Sequence, residues 1–397
     1  MRIALLADSF VPMGTAAAIQ LRDLARELVS QGHDVTAIIA SPEVTTSFSR
    51  EFIDGVDVLR VKTPKTKDTH LIARAFGELT SPFDMLRGLA KSPLAKAKWD
   101  GIVWYSPTIF LGYAAHRLKQ RLNCPAYLIV RDIFPDWAVD LGLMKRGFAY
   151  RFFKWVERFQ YKVADTIGVQ SPGNLAYFDA WSHGAGRRLE VLENWLSPSP
   201  SASCRIDISK TALAGRTILV YSGNMGVAQN LQRFVNLAAS LDHCHNLGFV
   251  FVGRGSQAEE LKSLASHLQL KNLLFFDEIA PSEIAGLLRQ CHIGIVSLDM
   301  RHRTHNVPGK FLSYMNAGLP VFAALNPGND LVTLIEDNRM GRVTTIDDQD
   351  ALLKALELLL GDLKTDANIS RRGREMAKQR FSSATAAKKI TEALQAK

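Results

Sequence analysis

Short apolar runs alternate with helix-spaced apolar stripes along this chain, and they do so in two rounds. In the first half, residues 3–7, 35–40, 58–61, 102–105, 127–130, 166–169 and 189–192 read as strands buried on both faces. Leu21, Leu24, Ala25 and Leu28 recur at helical spacing after the first of them, and Gly32 closes that helix. The second half repeats the pattern at 217–221, 247–252, 272–276, 293–298 and 319–325. Its stripes are Leu231, Phe234, Val235, Ala238 and Leu241, then Leu261, Leu264, Ala265 and Leu268. Strands that alternate with helices require parallel, doubly wound sheets. Between Trp195 and Asp207 the chain turns rich in Pro and Ser and poor in apolar residues, which marks a domain boundary. The expected class is α/β, with two parallel domains of similar size. A length of 397 residues is too great for one ordinary core.

Bulk chemistry removes several classes. Hydrophobic content of 47% and charged content of 22% describe a globular protein that needs no disorder. Cys124, Cys204, Cys244 and Cys291 lie far apart with no Cys-x-x-Cys pair, which argues against a disulfide framework or zinc site and for a reducing compartment. The first apolar run is short and broken by Asp8, so no signal peptide is expected. No run of roughly 18 apolar residues exists to span a membrane. The net charge of +9 is concentrated in the first half. Arg60, Lys62, Lys65, Lys67, Arg74, Arg87, Lys91, Lys96 and Lys98 form one cluster. Lys145, Arg146, Arg151, Lys154, Arg158 and Lys162 form another, against Glu157 alone. Such clusters imply an anionic partner: a membrane surface, a phosphorylated acceptor or nucleic acid.

Ligands of open parallel sheets bind at the carboxyl ends of the strands, so the loops there carry the chemistry. The loop from Asp8 reaches Gly14 and a run of alanines, which admits a phosphate or acceptor at a helix start; the plainer reading is a tight turn. It lacks Gly-x-Gly-x-x-Gly, which disfavours a nicotinamide dehydrogenase. The loop Tyr221-Ser-Gly-Asn-Met-Gly holds Gly223 and Gly226 ahead of a helix, a weak anion-site signal on its own. In Phe251-Val-Gly-Arg-Gly, glycines 253 and 255 flank Arg254, which suits a diphosphate better than an idle surface charge. The strongest signal is residues 299–309, a polar loop with Arg301, His302, Arg303, His305 and Asn306 that leads into Pro308-Gly309-Lys310. Pro308 reads as the first helical residue, with Phe311, Leu312 and Met315 inward and Gly318 at the end. Open helix-start amides, a first-turn lysine and a basic lead-in together describe a diphosphate site.

His302-x-x-His305 lacks the carboxylates of a metal site, and Asp348-x-Asp350 reads as a helix cap before Leu352 and Leu356, so no divalent metal is implied. In the first domain, Arg131 and Asp132 leave a strand end; the carboxylate suits an acceptor hydroxyl and the guanidinium a phosphate. The alternative for them is a salt bridge between domains.

Taken together these residues resemble glycosyltransferase family 4, retaining enzymes of GT-B fold, over nearly the whole chain. The anchors are Gly32-His33-Asp34-Val35, Glu157-Arg158, Ala164-Asp165, Gln170-Ser171, Glu193-Asn194-Trp195, Gly223-Asn224, Phe251-Val-Gly-Arg-Gly, and Pro308-Gly-Lys through Tyr314-Met-Asn-Ala-Gly-Leu-Pro-Val. Arg131-Asp132-x-x-Pro135 and the Tyr314-Met segment are similar to bacterial O-antigen and capsule enzymes of the N-acetyl-fucosamine transferase type. The resemblance implies two facing Rossmann-like domains, 1–196 for the acceptor and 205–381 for the donor, with a helix at about 382–397 crossing back to the first. It implies a UDP-sugar donor, a polyprenyl-diphosphate-linked saccharide acceptor, no cofactor and no metal. It also implies donor contacts at Gly14, Gly223, Asn224, Met225, Gln229, Gly253, Arg254, Ile279, Arg303, His305, Asn306, Val307, Pro308, Gly309 and Lys310.

This chain departs from the family pattern at several of those positions. Many members carry two glutamates in the donor loop where His305 and Ser313 stand here, and Arg and Lys where Asn224 and Gln229 stand. Arg131 takes the place of an active-site histidine, and no ready general base is evident. Front-face transfer lets the leaving diphosphate take the acceptor proton, so preorganised positive charge is the main lever. Lys310 and the helix-start amides are expected to supply it, with Asp132 and Arg131 placing the acceptor. Phe76, Phe83, Met85, Leu86, Phe148, Phe152, Phe153 and Trp155 interleave with bases, which suits a cytoplasmic protein peripheral to the inner face of an anionic membrane; the plainer reading makes them core. An epimerase or hydrolase of the same fold would turn over donor without acceptor. A nucleic-acid binder would need a recognition motif that the sequence lacks.

Overall fold

The computed structural model describes the chain apart from residues 67–69, 107, 198–202, 302–304, 306 and 397, with no side chains given for 71–75. It divides into two compact units, Met1–Trp195 with Ser383–Lys397, and Leu196–Ser382.

The first unit holds strands β1 (Arg2–Ala7), β2 (Asp34–Ser41), β3 (Phe48–Ile53), β4 (Val56–Lys62), β5 (Gly101–Ser106), β6 (Ala126–Val130), β7 (Thr166–Val169) and β8 (Arg188–Val191). Their order is β3-β4-β2-β1-β5-β6-β7-β8, parallel except for the β3–β4 hairpin. Alternate side chains of the central strands enter separate cores. One face is covered by helix Ala16–Ser30 together with the last helix, Ser383–Gln395, which contributes Ala387 and Ile390. Helices Leu71–Lys91, Gly112–Leu122 and Phe148–Val163 cover the other. Thr15 caps the first helix by accepting from Ala18 N–H, and Gly32 leaves it at φ +83°. Leu21, Leu24 and Leu28 are fully buried, each contributing about 1.5–3 kcal/mol of transfer free energy.

The hairpin strand β3 was not expected from apolar pattern. Its side chains are mostly exposed, so burial left no signature in them. Its turn was legible: Asp54-Gly55, both at positive φ, is the two-residue connection that matches strand twist.

The second unit holds β9 (Thr217–Ser222), β10 (Leu247–Val252), β11 (Leu273–Phe276), β12 (Ile293–Ser297), β13 (Val321–Ala324) and β14 (Gly341–Thr344). Its order β11-β10-β9-β12-β13-β14 is wholly parallel, the dinucleotide-fold arrangement that reverses between β9 and β12. The short β14 was also unexpected. Asp348 accepts from Ala351 N–H at 2.9 Å and caps helix Gln349–Thr365, as its sequence setting suggested.

Candidate functional site

The switch point of the second unit brings three loops together. After β9, Gly223 N–H donates to Val252 O at 2.9 Å and Met225 N–H to Arg254 O at 2.8 Å. The loops after β9 and β10 therefore run backbone against backbone. At Gly253, φ +147°, a Cβ would stand 2.0 Å from Gly223 O, so only glycine fits.

The third loop ends at helix Gly309–Ala317. Pro308 sits at its N-cap, one residue earlier than expected, and no side chain caps it. First-turn amides have no acceptor inside a helix, so they remain available to an anion. Tyr314 fastens this helix to β9: its hydroxyl accepts from Ser222 N–H at 3.1 Å and donates to Val220 O at 3.2 Å. Gly294 leaves room for that ring, since a Cβ there would lie 2.4 Å from it.

Lys310 projects from the first turn toward the β9 loop. Its Nζ donates to the Tyr221 hydroxyl at 2.7 Å and lies 4.1 Å from the centre of the same ring. Burial pulls its pKa down to about 7. An ammonium so placed regains full charge when an anion replaces the lost water. Lys310 stands out in the sequence, whereas its partner Tyr221 is hidden within the apolar run of β9.

Other expected donor residues fall into separate places. Gly223 and Asn224 are exposed, and Gln229 Oε1 accepts from Asn224 Nδ2 at 3.0 Å and Gly226 N–H at 3.1 Å, so the two amides close the loop. Arg254 pairs with Glu278 at 2.9 Å on the surface. Met225, Ile279 and Val307 are buried in the cores. Their side chains being packed there, a donor contact by these three would be made by their backbone groups. His305 Nδ1 accepts from Asp330 N–H at 3.2 Å, at the start of helix Asp330–Asp337. Ser313 Oγ donates to Gly309 O at 3.3 Å. Arg303, Asn306 and His302 lie outside the described residues. Asp299 is buried and chelates Arg301, which holds the base of the loop.

In the first unit, Gly14 is exposed one residue before the Thr15 cap. Arg131 is turned inward, contrary to the phosphate contact expected of it. Its guanidinium is buried, donates to Leu192 O at 2.6 Å and Glu193 O at 3.3 Å, and stacks 4.7 Å over Trp195. It fastens the end of β8, while Asp132 beside it is exposed. A network missed in sequence holds the following turn. Asp136 accepts from Tyr150 Oη at 2.7 Å and Lys154 Nζ at 2.9 Å, and buried Glu157 accepts from Tyr177 and Tyr161. Lys154 is therefore not a free surface base. Met85 is core, and Leu86, Phe152 and Phe153 are half-buried. Phe76, Phe83, Phe148 and Trp155 are exposed, the last two by 89% and 66%. Exposed Lys145, Arg146, Arg151, Arg158 and Lys162 surround the latter pair in sequence.

Two doubly wound α/β units of this topology make up the GT-B fold, and Anabaena Alr3699/HepE, solved in complex with UDP, shares it at TM-score 0.68 and 16% identity over 100% of both chains. Residues 15–195 match the family described as "Glycosyl transferase 4-like domain", and residues 216–362 match "Glycosyl transferases group 1". Both models describe glycosyltransferase domains, and the chain is a glycosyltransferase. It is 24% identical over 311 residues to "Probable glycosyltransferase WbjE" of Pseudomonas aeruginosa, covering 76% of each chain. It is 22% identical over 334 residues to "Putative colanic acid biosynthesis glycosyl transferase WcaI" of Escherichia coli K12, covering 74% of this chain and 76% of that one.

Proposed function

We propose that this glycosyltransferase moves a sugar, with retention at the anomeric carbon, from a UDP-linked donor to a polyprenyl-diphosphate-linked saccharide during bacterial surface polysaccharide synthesis. The sugar is of the N-acetylated deoxyhexose type, such as N-acetyl-fucosamine. The observation that carries the donor reading is Lys310, held at an uncapped helix start against the Gly223 loop. HepE, bound to UDP, and WcaI, described as a colanic acid enzyme, support the donor and the pathway class.

In the proposed reaction the bond from the anomeric carbon to the β-phosphate oxygen breaks. The acceptor hydroxyl oxygen bonds to the same face of that carbon, and its proton passes to the departing diphosphate. Lys310 and the amides of Gly309 and Lys310 neutralise the charge that develops there. Asp132 orients the acceptor hydroxyl. Positive charge from the protein takes the place of a divalent ion, so EDTA should leave turnover intact.

The acceptor's lipid places the protein on the inner face of the cytoplasmic membrane. Exposed Phe148 and Trp155 among five bases suit an anionic leaflet. No helix among the described residues is long and apolar enough to cross a membrane.

A thermal-shift panel of UDP-, GDP-, dTDP- and CMP-sugars tests the donor, because a ligand of the native state raises its apparent stability. UDP-sugars should raise the melting temperature; a shift confined to another nucleobase would refute the UDP assignment. Proton NMR of the first-formed glycoside should show the donor's anomeric configuration, and inversion would refute retention.

A further inference from the structure

We infer that Tyr221 is a positioning residue for the donor diphosphate: it holds the Lys310 ammonium beside the Gly223 loop, and so sets donor affinity. This rests on the donor-site reading above.

Lysine has a flexible four-carbon stem, and holding it in one rotamer loses entropy. Tyr221 constrains it twice, through the 2.7 Å hydroxyl contact and through the ring face 4.1 Å away. The ring itself is fully buried and meets Phe251 edge-on at 5.9 Å. Its single hydroxyl proton goes to Asn224 O, so only lone pairs remain toward Lys310. The ammonium thus commits one N–H to Tyr221 and keeps two for a ligand. Gly223 closes the remaining side, since a Cβ there would lie 3.3 Å from Lys310 Cε.

Both contacts favour the charged lysine against the burial that disfavours it. Among the described residues, the other groups around it do not compete. Tyr314 on its own helix is engaged by β9 backbone, and burial keeps it neutral. Helix Ile284–Leu288 and strands β12 and β13 carry no ionisable side chain. On helix Ile369–Arg380, Arg374 reaches Ala317 O at the far end. Arg254, beyond β10, is paired with Glu278.

The test is the pH profile of donor kcat/KM for wild type, Tyr221→Phe, Lys310→Gln and the double variant. Tyr221→Phe should raise donor KM about tenfold at pH 8, recover toward wild type at pH 6, and change kcat little; a tenfold effect corresponds to one pKa unit lost by Lys310. In the Lys310→Gln background the tyrosine change should add nothing. An additive penalty, or a Tyr221→Phe profile equal to wild type, overturns the inference. Unaltered donor affinity in Lys310→Gln overturns the donor site itself, a separate outcome. Wild-type protein supplies a second reading should the variant fold poorly. The Lys310 ε-methylene protons, identified by their loss in Lys310→Arg, should carry an upfield ring-current shift from Tyr221, and a random-coil position overturns the inference.

Discussion

Arg131 lies over Trp195, 4.7 Å from guanidinium carbon to ring centre, and Trp195 Nε1–H in turn donates to Gln20 O at 2.8 Å. One cation thereby ties the end of β6 to the last residues after β8 and to helix Ala16–Ser30. Arg131→Ala removes the stack and strands the Leu192 and Glu193 carbonyls. It should lower stability by roughly 3 kcal/mol, read by urea denaturation, while leaving the donor-induced thermal shift in place. Loss of donor binding without loss of stability would restore a ligand contact for this residue.

Lys310→Ala should lower kcat by on the order of 10²-fold or more, as for removal of one donor to a developing oxyanion. Near-wild-type turnover would remove Lys310 from the mechanism.

The same residue makes two pH slopes of opposite sign. Folding lowers its pKa to about 7, below the value near 10.4 of an exposed lysine. Between those values the unfolded chain binds the extra proton, so stability of the free protein rises with pH from about 7 to about 10 relative to Lys310→Met. Donor binding needs the charged form and should weaken across the same range. Chemical denaturation and donor titration at matched pH separate the two, and parallel slopes would contradict the assignment.

Gly253→Ala drives a Cβ to within 2.0 Å of Gly223 O, backbone against backbone. It should cost roughly 1–3 kcal/mol for the φ alone and abolish the donor thermal shift by parting the two loops. Gly361, in the interior of helix Gln349–Thr365 with open space around it, is the matched control. Alanine there should stabilise by about 1 kcal/mol.

Phe148→Ala with Trp155→Ala should reduce flotation with vesicles containing anionic lipid without changing the melting temperature, since both rings are exposed. Equal flotation of the variant, or none for wild type, would remove this helix from membrane contact.

Which of these features could be read in the residues alone follows from where burial acts. Central parallel strands are covered on both faces, so β1, β9 and β10 stand out as unbroken apolar runs. Strand β3 is exposed, and only its Asp54-Gly55 turn betrays it. The helix opening at Gly309 was legible because proline before a helix and Gly318 after it are local backbone requirements.

Sequence by itself determined the alternation of elements, their caps and the placing of a lysine at a helix start, since these depend on neighbours a few residues away. Tertiary structure alone decided what that lysine touches. Tyr221 is 89 residues from Lys310 and meets it because the strand order reverses between β9 and β12, setting the loop of one beside the helix that follows the other. It likewise turned Arg131 inward, because the carbonyls of Leu192 and Glu193 and the face of Trp195 satisfy a guanidinium that sequence pattern could place only at a strand end. Side-chain direction is settled by such long-range partners, and no local rule encodes them.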